Sequence, residues 1–146
     1  MIAMNDAIWY LLGVASDYRI DVQWAGVLSP YTPPACRLDT RIVCMNSNWH
    51  RPGEIAFQLA HELSHIINGD SGDACFYDAS FTSKSSVEYK ANVGAVKLLV
   101  PFYCQDAHQE NINVCDFEMG YDIPGYLSDV VNEEVKKYYI HEKTCL

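Results

Sequence analysis

The segment FQLAHELSHIIN, residues 57–68, constrains this chain most, because it places two histidines four positions apart with a glutamate directly after the first. On an α-helix, residues four apart emerge from the same side, so His61 and His65 can direct their imidazoles to one ion. Glu62 emerges about 100° further round, where it can take a proton from a water molecule beside that ion. Chance alone would produce this pattern in about one chain in a hundred, so the motif needs independent support.

The predicted helix around this motif runs from Pro52 to Asn68, because proline suits a first turn and Gly69 suits the C-terminal stop. Its apolar side chains share one arc of the helix: Ile55, Ala56, Leu59, Ala60, Leu63, Ile66 and Ile67. The two histidines fall on the opposite side. They are therefore either exposed to solvent or directed at another element.

A second helix, predicted from Ser85 or Ser86 to Val100 and ended by Pro101, suggests what the histidines face. Glu88 shares its arc with small and apolar side chains, among them Ala91 and Ala95, which would allow another helix to approach closely. An unpaired buried carboxylate is costly, and a metal ion would remove that cost. We therefore predict three protein ligands that leave a fourth position open, as in catalytic zinc sites: His61, His65 and Glu88.

Alternatives to this ligand set remain open at the level of sequence. Glu88 can instead form an interhelical salt bridge or act as a helix-start carboxylate. Three aspartates in the following Gly/Ser/Asp loop compete for the third position, although such residues are typical turn formers: Asp70, Asp73 and Asp78. Ser71 stands where a metzincin would carry its third histidine, which excludes that class. Asn92, one turn after Glu88, can either orient a ligand or bridge backbone groups.

The rest of the chain predicts an α+β fold of one domain, residues 1–146, with no internal repeat. Periodicity indicates helices over residues 2–15 and 124–141, a strand around residues 20–24 and another around 40–46, and loops over 29–36 and 69–83. A small, mostly antiparallel sheet should pack on the HELSH helix, with the Glu88 helix closing the site. The strand Arg41–Asn46 is a candidate to hold extended substrate by edge pairing. Residues 102–122 give no clear pattern.

Charge and cysteine usage limit the partners and the compartment. The net charge is -9 and the ten Lys and Arg residues are scattered, which argues against direct nucleic-acid binding. No apolar run is long enough to span a membrane, and the N-terminal MIAMNDAIWYLLG is a poor signal peptide. The six cysteines form no CxxC pair, so we expect a cytoplasmic protein whose reduced thiols mostly serve as small core residues, with a disulfide scaffold as the alternative.

A strand followed by FQLAHELSH and VEYKANVGAVKLLVP resembles the ImmA/IrrE family of small zinc metallopeptidases over about residues 20–101. The matching positions are Phe57, Ala60, His61, Glu62 and His65, then Glu88, Ala91, Asn92, Ala95, Leu98, Leu99 and Pro101. Two positions depart from the family pattern, Lys90 where a second acid is common and Gly94 where an aromatic is usual. These two departures affect packing and substrate fit. The three predicted ligands and the predicted base still match the family pattern.

This resemblance implies a zincin-like fold with a gluzincin-like glutamate as third ligand, one Zn²⁺ ion and Glu62 as the catalytic base. It further implies a cytosolic endopeptidase of bacterial, phage or mobile-element origin that regulates transcription by cleaving or inactivating a helix-turn-helix repressor, encoded as a separate chain. Residues 102–146 match nothing firmly and are expected to be a helical C-terminal part.

Two other functions fit the same residues. The chain can be a zinc-binding interaction module that removes a repressor without proteolysis, or a peptidase toxin that acts on another host protein. A peptidase also needs a donor for the developing oxyanion. The candidates are any of the ten tyrosines, His50, His108 and His141, and the sequence does not choose among them.

Overall fold

The computed structural model describes residues 4–69, 75–76 and 86–144. Its α-helices are α1 (Met4–Asp17), α2 (Ile55–Asn68), α3 (Ser86–Cys104), α4 (Val114–Gly120) and α5 (Ser128–Thr144). Its strands are β1 (Asp21–Ala25), β2 (Ala35–Arg37), β3 (Ile42–Asn46) and β4 (Cys75–Phe76). Short 3-10 turns cover Pro52–Glu54, Gln109–Asn111 and Gly125–Leu127. The predicted α+β class is confirmed.

The strands form one mixed sheet in the order β1-β3-β2-β4. β1 runs parallel to β3 over the full length of both, from the pair Asp21–Ile42 to the pair Ala25–Asn46. β2 runs antiparallel to both β3 and β4, so two of the three pairings have the predicted antiparallel sense. Because β3 is flanked on both sides, our prediction that Arg41–Asn46 offers a free edge to substrate was wrong. Of the described strands, β1 and β4 form the edges.

Two of these strands were predicted as loop. Ala35–Arg37 directly follows a pair of prolines, and three residues are too few for an alternating pattern to show. Cys75–Phe76 is shorter still, and the remainder of the predicted loop 69–83 lies outside the described residues except for Gly69. The sheet pairing of both segments therefore depends on contacts that local periodicity does not reveal.

Helix α3 does not end at Pro101 as predicted but continues to Cys104. Proline removes one N–H donor, the one that would bond the carbonyl of Lys97. Both residues lie on the exposed side of the helix, where the loss is least costly. The amide of Gln105 donates to the Pro101 carbonyl at 3.1 Å, so the last turn stays hydrogen-bonded beyond the proline.

The C-terminal segment packs on the same apolar core as the rest of the described chain. Leu127 and Val131 are fully buried, and they belong to the cluster that also contains Leu11 of α1 and Leu99 of α3. The hydroxyl of Tyr139 on α5 donates to the Ala107 carbonyl at 3.0 Å, just beyond the end of α3. The predicted helix over 124–141 is present as the 3-10 turn Gly125–Leu127 followed by α5, which runs on to Thr144.

Two further expectations concern the membrane and the cysteines. None of the helices in the described part of the chain is both long and apolar enough to cross a membrane. Cys104 is a buried free thiol, as expected for a core residue, whereas Cys44 and Cys115 are free thiols at the surface. The cysteines of this chain are therefore not uniformly core residues.

Helices α2 and α3 are in close contact where Gly94 faces Ser64. A Cβ placed at Gly94 would lie 2.8 Å from the Cβ of Ser64 and 2.7 Å from its Oγ. Ala91 and Ala95, which we expected to permit close packing, are both fully buried beside this contact. The glycine that departs from the family pattern therefore lies where the two helices leave no room for a side chain.

We expect Gly94→Ala to destabilise the protein by about 1–3 kcal/mol, although alanine is the better helix former, because overpacking forces the two helices apart. Gly13→Ala in α1 is the matched control, since a Cβ there meets nothing within 4 Å. That control should leave stability unchanged or raise it by up to about 1 kcal/mol. Urea unfolding measures both, and a Gly94→Ala protein as stable as its Gly13→Ala counterpart would disprove the close approach.

Candidate metal centre

Helix α2 is buried on all sides from Ile55 to Ile66, including its polar residues. The 3-10 turn with Pro52 precedes it, and Gly69 ends it in the left-handed conformation with φ of 67°, as predicted. His61 and His65 are both fully buried. Of the two situations that the sequence left open, the structure shows the second: the histidines face α3 and not solvent.

The side chains of His61, His65 and Glu88 converge. The Nε2 atoms of the two histidines are 3.1 Å apart, and the carboxylate oxygens of Glu88 lie 3.0 Å from the Nε2 of His61 and 3.2 Å from that of His65. Around a tetrahedral zinc ion with bonds of about 2.0–2.1 Å, ligand atoms are about 3.4 Å apart. The observed spacing fits such an ion after a small outward adjustment, and within the described ranges this is the one group of three or more potential ligands with that proximity.

The charges in this cluster suit a shared cation, which can be a proton on a histidine or a metal ion. Two Nε2 atoms 3.1 Å apart cannot both carry a proton towards each other without repulsion. Burial acts to raise the pKa of Glu88, but the hydrogen bonds and positive charge of His61 and His65 outweigh it and lower that pKa to about 2. The carboxylate is therefore ionised, and a shared cation would satisfy it and both imidazoles together.

Glu62 is completely buried on the side of α2 that faces β2. Within the described residues, the thiol of Cys36 is its hydrogen-bonding neighbour, a weak donor, and no strong donor reaches either carboxylate oxygen. Burial raises the pKa of Glu62 to about 7, against the opposing charges of His61 and His65. A carboxylate with this affinity for a proton suits a general base that works near neutral pH.

Asn92 links His61 to a residue that sequence analysis did not single out. Its Oδ1 lies 2.7 Å from the Nδ1 of His61, and its Nδ2 donates to the hydroxyl of Tyr126 at 2.6 Å. Asn92 itself is almost fully buried. Both contacts join Asn92 to side chains and not to backbone groups, which is the arrangement expected of a residue that orients His61.

Gln58, one turn before Glu62 on the same side of α2, was also missed. It is fully buried, and neither atom of its amide has a partner among the described residues. Gln58 and Glu62 are thus two buried polar side chains for which the described part of the chain supplies no strong hydrogen-bonding partner. The available signal was a glutamine four residues before the glutamate in an otherwise apolar stretch.

The other site residues considered from the sequence are the competing third ligands and the candidate oxyanion donors. Asp70, Asp73 and Asp78, the competing third ligands, are outside the described residues, as is Ser71. His50 contacts the Pro30 carbonyl, His108 precedes the turn Gln109–Asn111, and His141 is exposed on α5. Tyr126 is the tyrosine whose hydroxyl contacts Asn92 beside the ligands.

Comparison with known proteins places this arrangement in a family. The family model Peptidase_M78, described as IrrE N-terminal-like domain, matches residues 17–103, a range that includes α2 and nearly all of α3. Searches of curated proteins and of solved structures gave no match. Because the family model covers more than half of the chain, and the resemblance to ImmA/IrrE proteins is thereby confirmed, the chain belongs to the Peptidase M78 family of IrrE N-terminal-like domains.

Proposed function

We propose that this chain is a zinc-dependent endopeptidase in which His61, His65 and Glu88 hold one Zn²⁺ ion and Glu62 is the catalytic base. The proposal depends on the convergence of these three side chains, whose imidazole Nε2 atoms and carboxylate oxygens lie 3.0–3.2 Å from one another. The family is one of metallopeptidases, which supports the same class of reaction. When bound, the ion supplies Lewis acidity, which polarises a peptide carbonyl and makes water a better nucleophile at neutral pH.

The protein's own residues handle the protons. A carboxylate oxygen of Glu62 takes a proton from the attacking water and later delivers it to the leaving amine. Its burial favours this role, because the raised pKa of about 7 lets it accept and release a proton in the same pH range. Asn92 accepts from the Nδ1 of His61, which keeps the Nε2 lone pair of that imidazole available as a ligand.

For the substrate we propose a helix-turn-helix repressor that is a separate chain in a bacterial or phage regulatory system, with both proteins in the cytoplasm. The support is the ImmA/IrrE resemblance together with charge. The chain carries a net charge of -9, whereas DNA-binding proteins present basic surfaces. Opposite charges accelerate encounter between two proteins and favour this type of partner over an acidic one.

A second candidate function is supported by the burial of the site. His61, Glu62 and His65 are all completely buried, and of the proposed metal site only Glu88 retains some exposure, with 19% of its side chain accessible. A substrate has to reach Glu62 to be cleaved. The arrangement therefore also suits a zinc-stabilised interaction module that removes a repressor from DNA without cutting it. A toxin acting on another host protein would share the peptidase chemistry with a different substrate.

Incubating the protein with candidate helix-turn-helix repressors from the genome that encodes it separates these functions. We expect zinc-dependent cleavage at a defined bond, seen by intact-mass spectrometry and prevented by a chelator. An intact repressor that nevertheless leaves its operator DNA would support the interaction module. An intact repressor that stays on its DNA, together with cleavage of other proteins in a host extract, would support the toxin. A preparation that binds no zinc would refute all three.

A further inference from the structure

Tyr126 reaches the candidate metal centre from a part of the chain that the family match does not include. The match ends at residue 103, whereas Tyr126 lies in the turn Gly125–Leu127. We propose that Tyr126 is a positioning residue of the metal centre: its hydroxyl holds the Asn92 amide in the orientation that keeps His61 competent to bind the ion. The inference rests on the proposed metal site and assigns part of it to the C-terminal segment.

The directions of the hydrogen bonds support this role. A metal bound at the Nε2 of His61 requires that the ring proton sit on Nδ1, where it is donated to the Oδ1 of Asn92 at 2.7 Å. With its oxygen so placed, the amide of Asn92 must direct Nδ2 the other way. The Tyr126 hydroxyl oxygen accepts from Nδ2 at 2.6 Å. The reverse amide orientation would offer a donor to Nδ1 and force the proton onto Nε2, which blocks the metal.

Burial makes the tyrosine partner important. Asn92 is only 1% exposed, so an Nδ2 group without an acceptor would cost about 1–3 kcal/mol. That cost would act against the metal-competent amide orientation. Tyr126 is half exposed, so its hydroxyl proton can point to solvent while its oxygen accepts from Nδ2.

The C-terminal segment has independent anchors that hold Tyr126 in place. The next residue, Leu127, is fully buried in the core. Asp122 forms an ion pair at 3.2 Å with Arg51, which directly precedes the 3-10 turn leading into α2. The ring of Tyr126 stacks on that of Tyr89 from α3 with 6.4 Å between centroids. The segment therefore contacts α3 and the residue that precedes the turn leading into α2.

The test is Tyr126→Phe, which removes one oxygen atom and keeps the ring. Removing a residue that is hydrogen-bonded to a metal ligand lowers metal affinity about 10–100-fold. Tyr126 acts through Asn92, so we expect Tyr126→Phe to lower zinc affinity about tenfold. Competition with a chromophoric chelator measures the zinc affinity. Nitrogen–proton NMR of His61, with and without zinc, reports how much of the ring carries its proton on Nδ1. We expect Tyr126→Phe to reduce that fraction.

Two further variants make the result specific. Tyr89→Phe removes the hydroxyl from the neighbouring exposed ring and should change neither zinc affinity nor the His61 signal. Asn92→Ala removes the contacts with both His61 and Tyr126, so adding Tyr126→Phe to it should have no further effect on zinc affinity. Wild-type affinity and an unshifted His61 signal in Tyr126→Phe would overturn the inference and leave the metal site standing. A wild-type protein that binds no zinc would instead refute the proposed function.

Discussion

Replacement of Glu62 by glutamine is expected to reduce peptide hydrolysis by at least about 100-fold while zinc content stays at one ion per chain. Removing a general base typically costs 10²–10⁴-fold in rate, and the amide of glutamine cannot take a proton from water. Glutamine has nearly the same size, and among the described residues the buried carboxylate it replaces has only a thiol as its neighbouring donor. The fold should therefore tolerate the change.

The measurement combines the initial rate of repressor cleavage with metal analysis of the same preparation. Glu54→Gln is the matched control, because it removes the same charge just before α2 from a residue that bonds Trp49 and Arg51 and no proposed ligand. It should keep activity within about twofold, since it touches no reacting group. Cleavage by Glu62→Gln at the wild-type rate would place the base elsewhere, and loss of its zinc would show that Glu62 acts on the metal site itself.

Local periodicity explains why part of this site could be predicted. The relation between His61, Glu62 and His65 is a property of one helix, and the helical repeat fixes it without any knowledge of the fold. Glu88 was inferred across 23 residues because a carboxylate on an apolar helical face needs a partner. The structure brings these side chains together at 3.0–3.2 Å, as that argument requires. Their roles in metal binding and catalysis stay predictions.

The other features depend on contacts between distant segments. The strand order places β3 inside the sheet, which no pattern within residues 42–46 reveals. Tyr126 is one of ten tyrosines in the sequence, and it stands out only once the turn before α5 lies against α3. Gln58 was similarly hidden, because the burial of its amide, and the lack of a partner for it among the described residues, cannot be recognised from the sequence. These are the positions where tertiary packing, and not periodicity, determines the environment.

Glu88→Ala should abolish stoichiometric zinc binding, and it separates the two explanations of this carboxylate. If Glu88 is a ligand, it contributes directly to zinc affinity. Its removal should then weaken zinc binding by more than the 10–100-fold that follows removal of a residue that only hydrogen-bonds to a ligand. At a free zinc concentration of about 100 times the wild-type Kd, zinc should stabilise the wild-type protein by about 2.7 kcal/mol. A variant with a Kd about 100-fold higher should gain only about 0.4 kcal/mol under the same conditions.

If Glu88 served only as an ion-pair partner of His61 and His65, the outcome would differ. Its removal would then lower stability by the same amount with and without zinc, because the lost interaction would not involve the ion. Elemental analysis measures the zinc content of each protein. Urea unfolding of the wild type and of Glu88→Ala, each with and without zinc, gives the four free energies of unfolding that are compared. Glu88→Gln, which keeps one oxygen donor without the charge, should give an intermediate affinity. A full zinc load in Glu88→Ala would exclude Glu88 as the third ligand. The aspartates at positions 70, 73 and 78 would then be the candidates for that ligand.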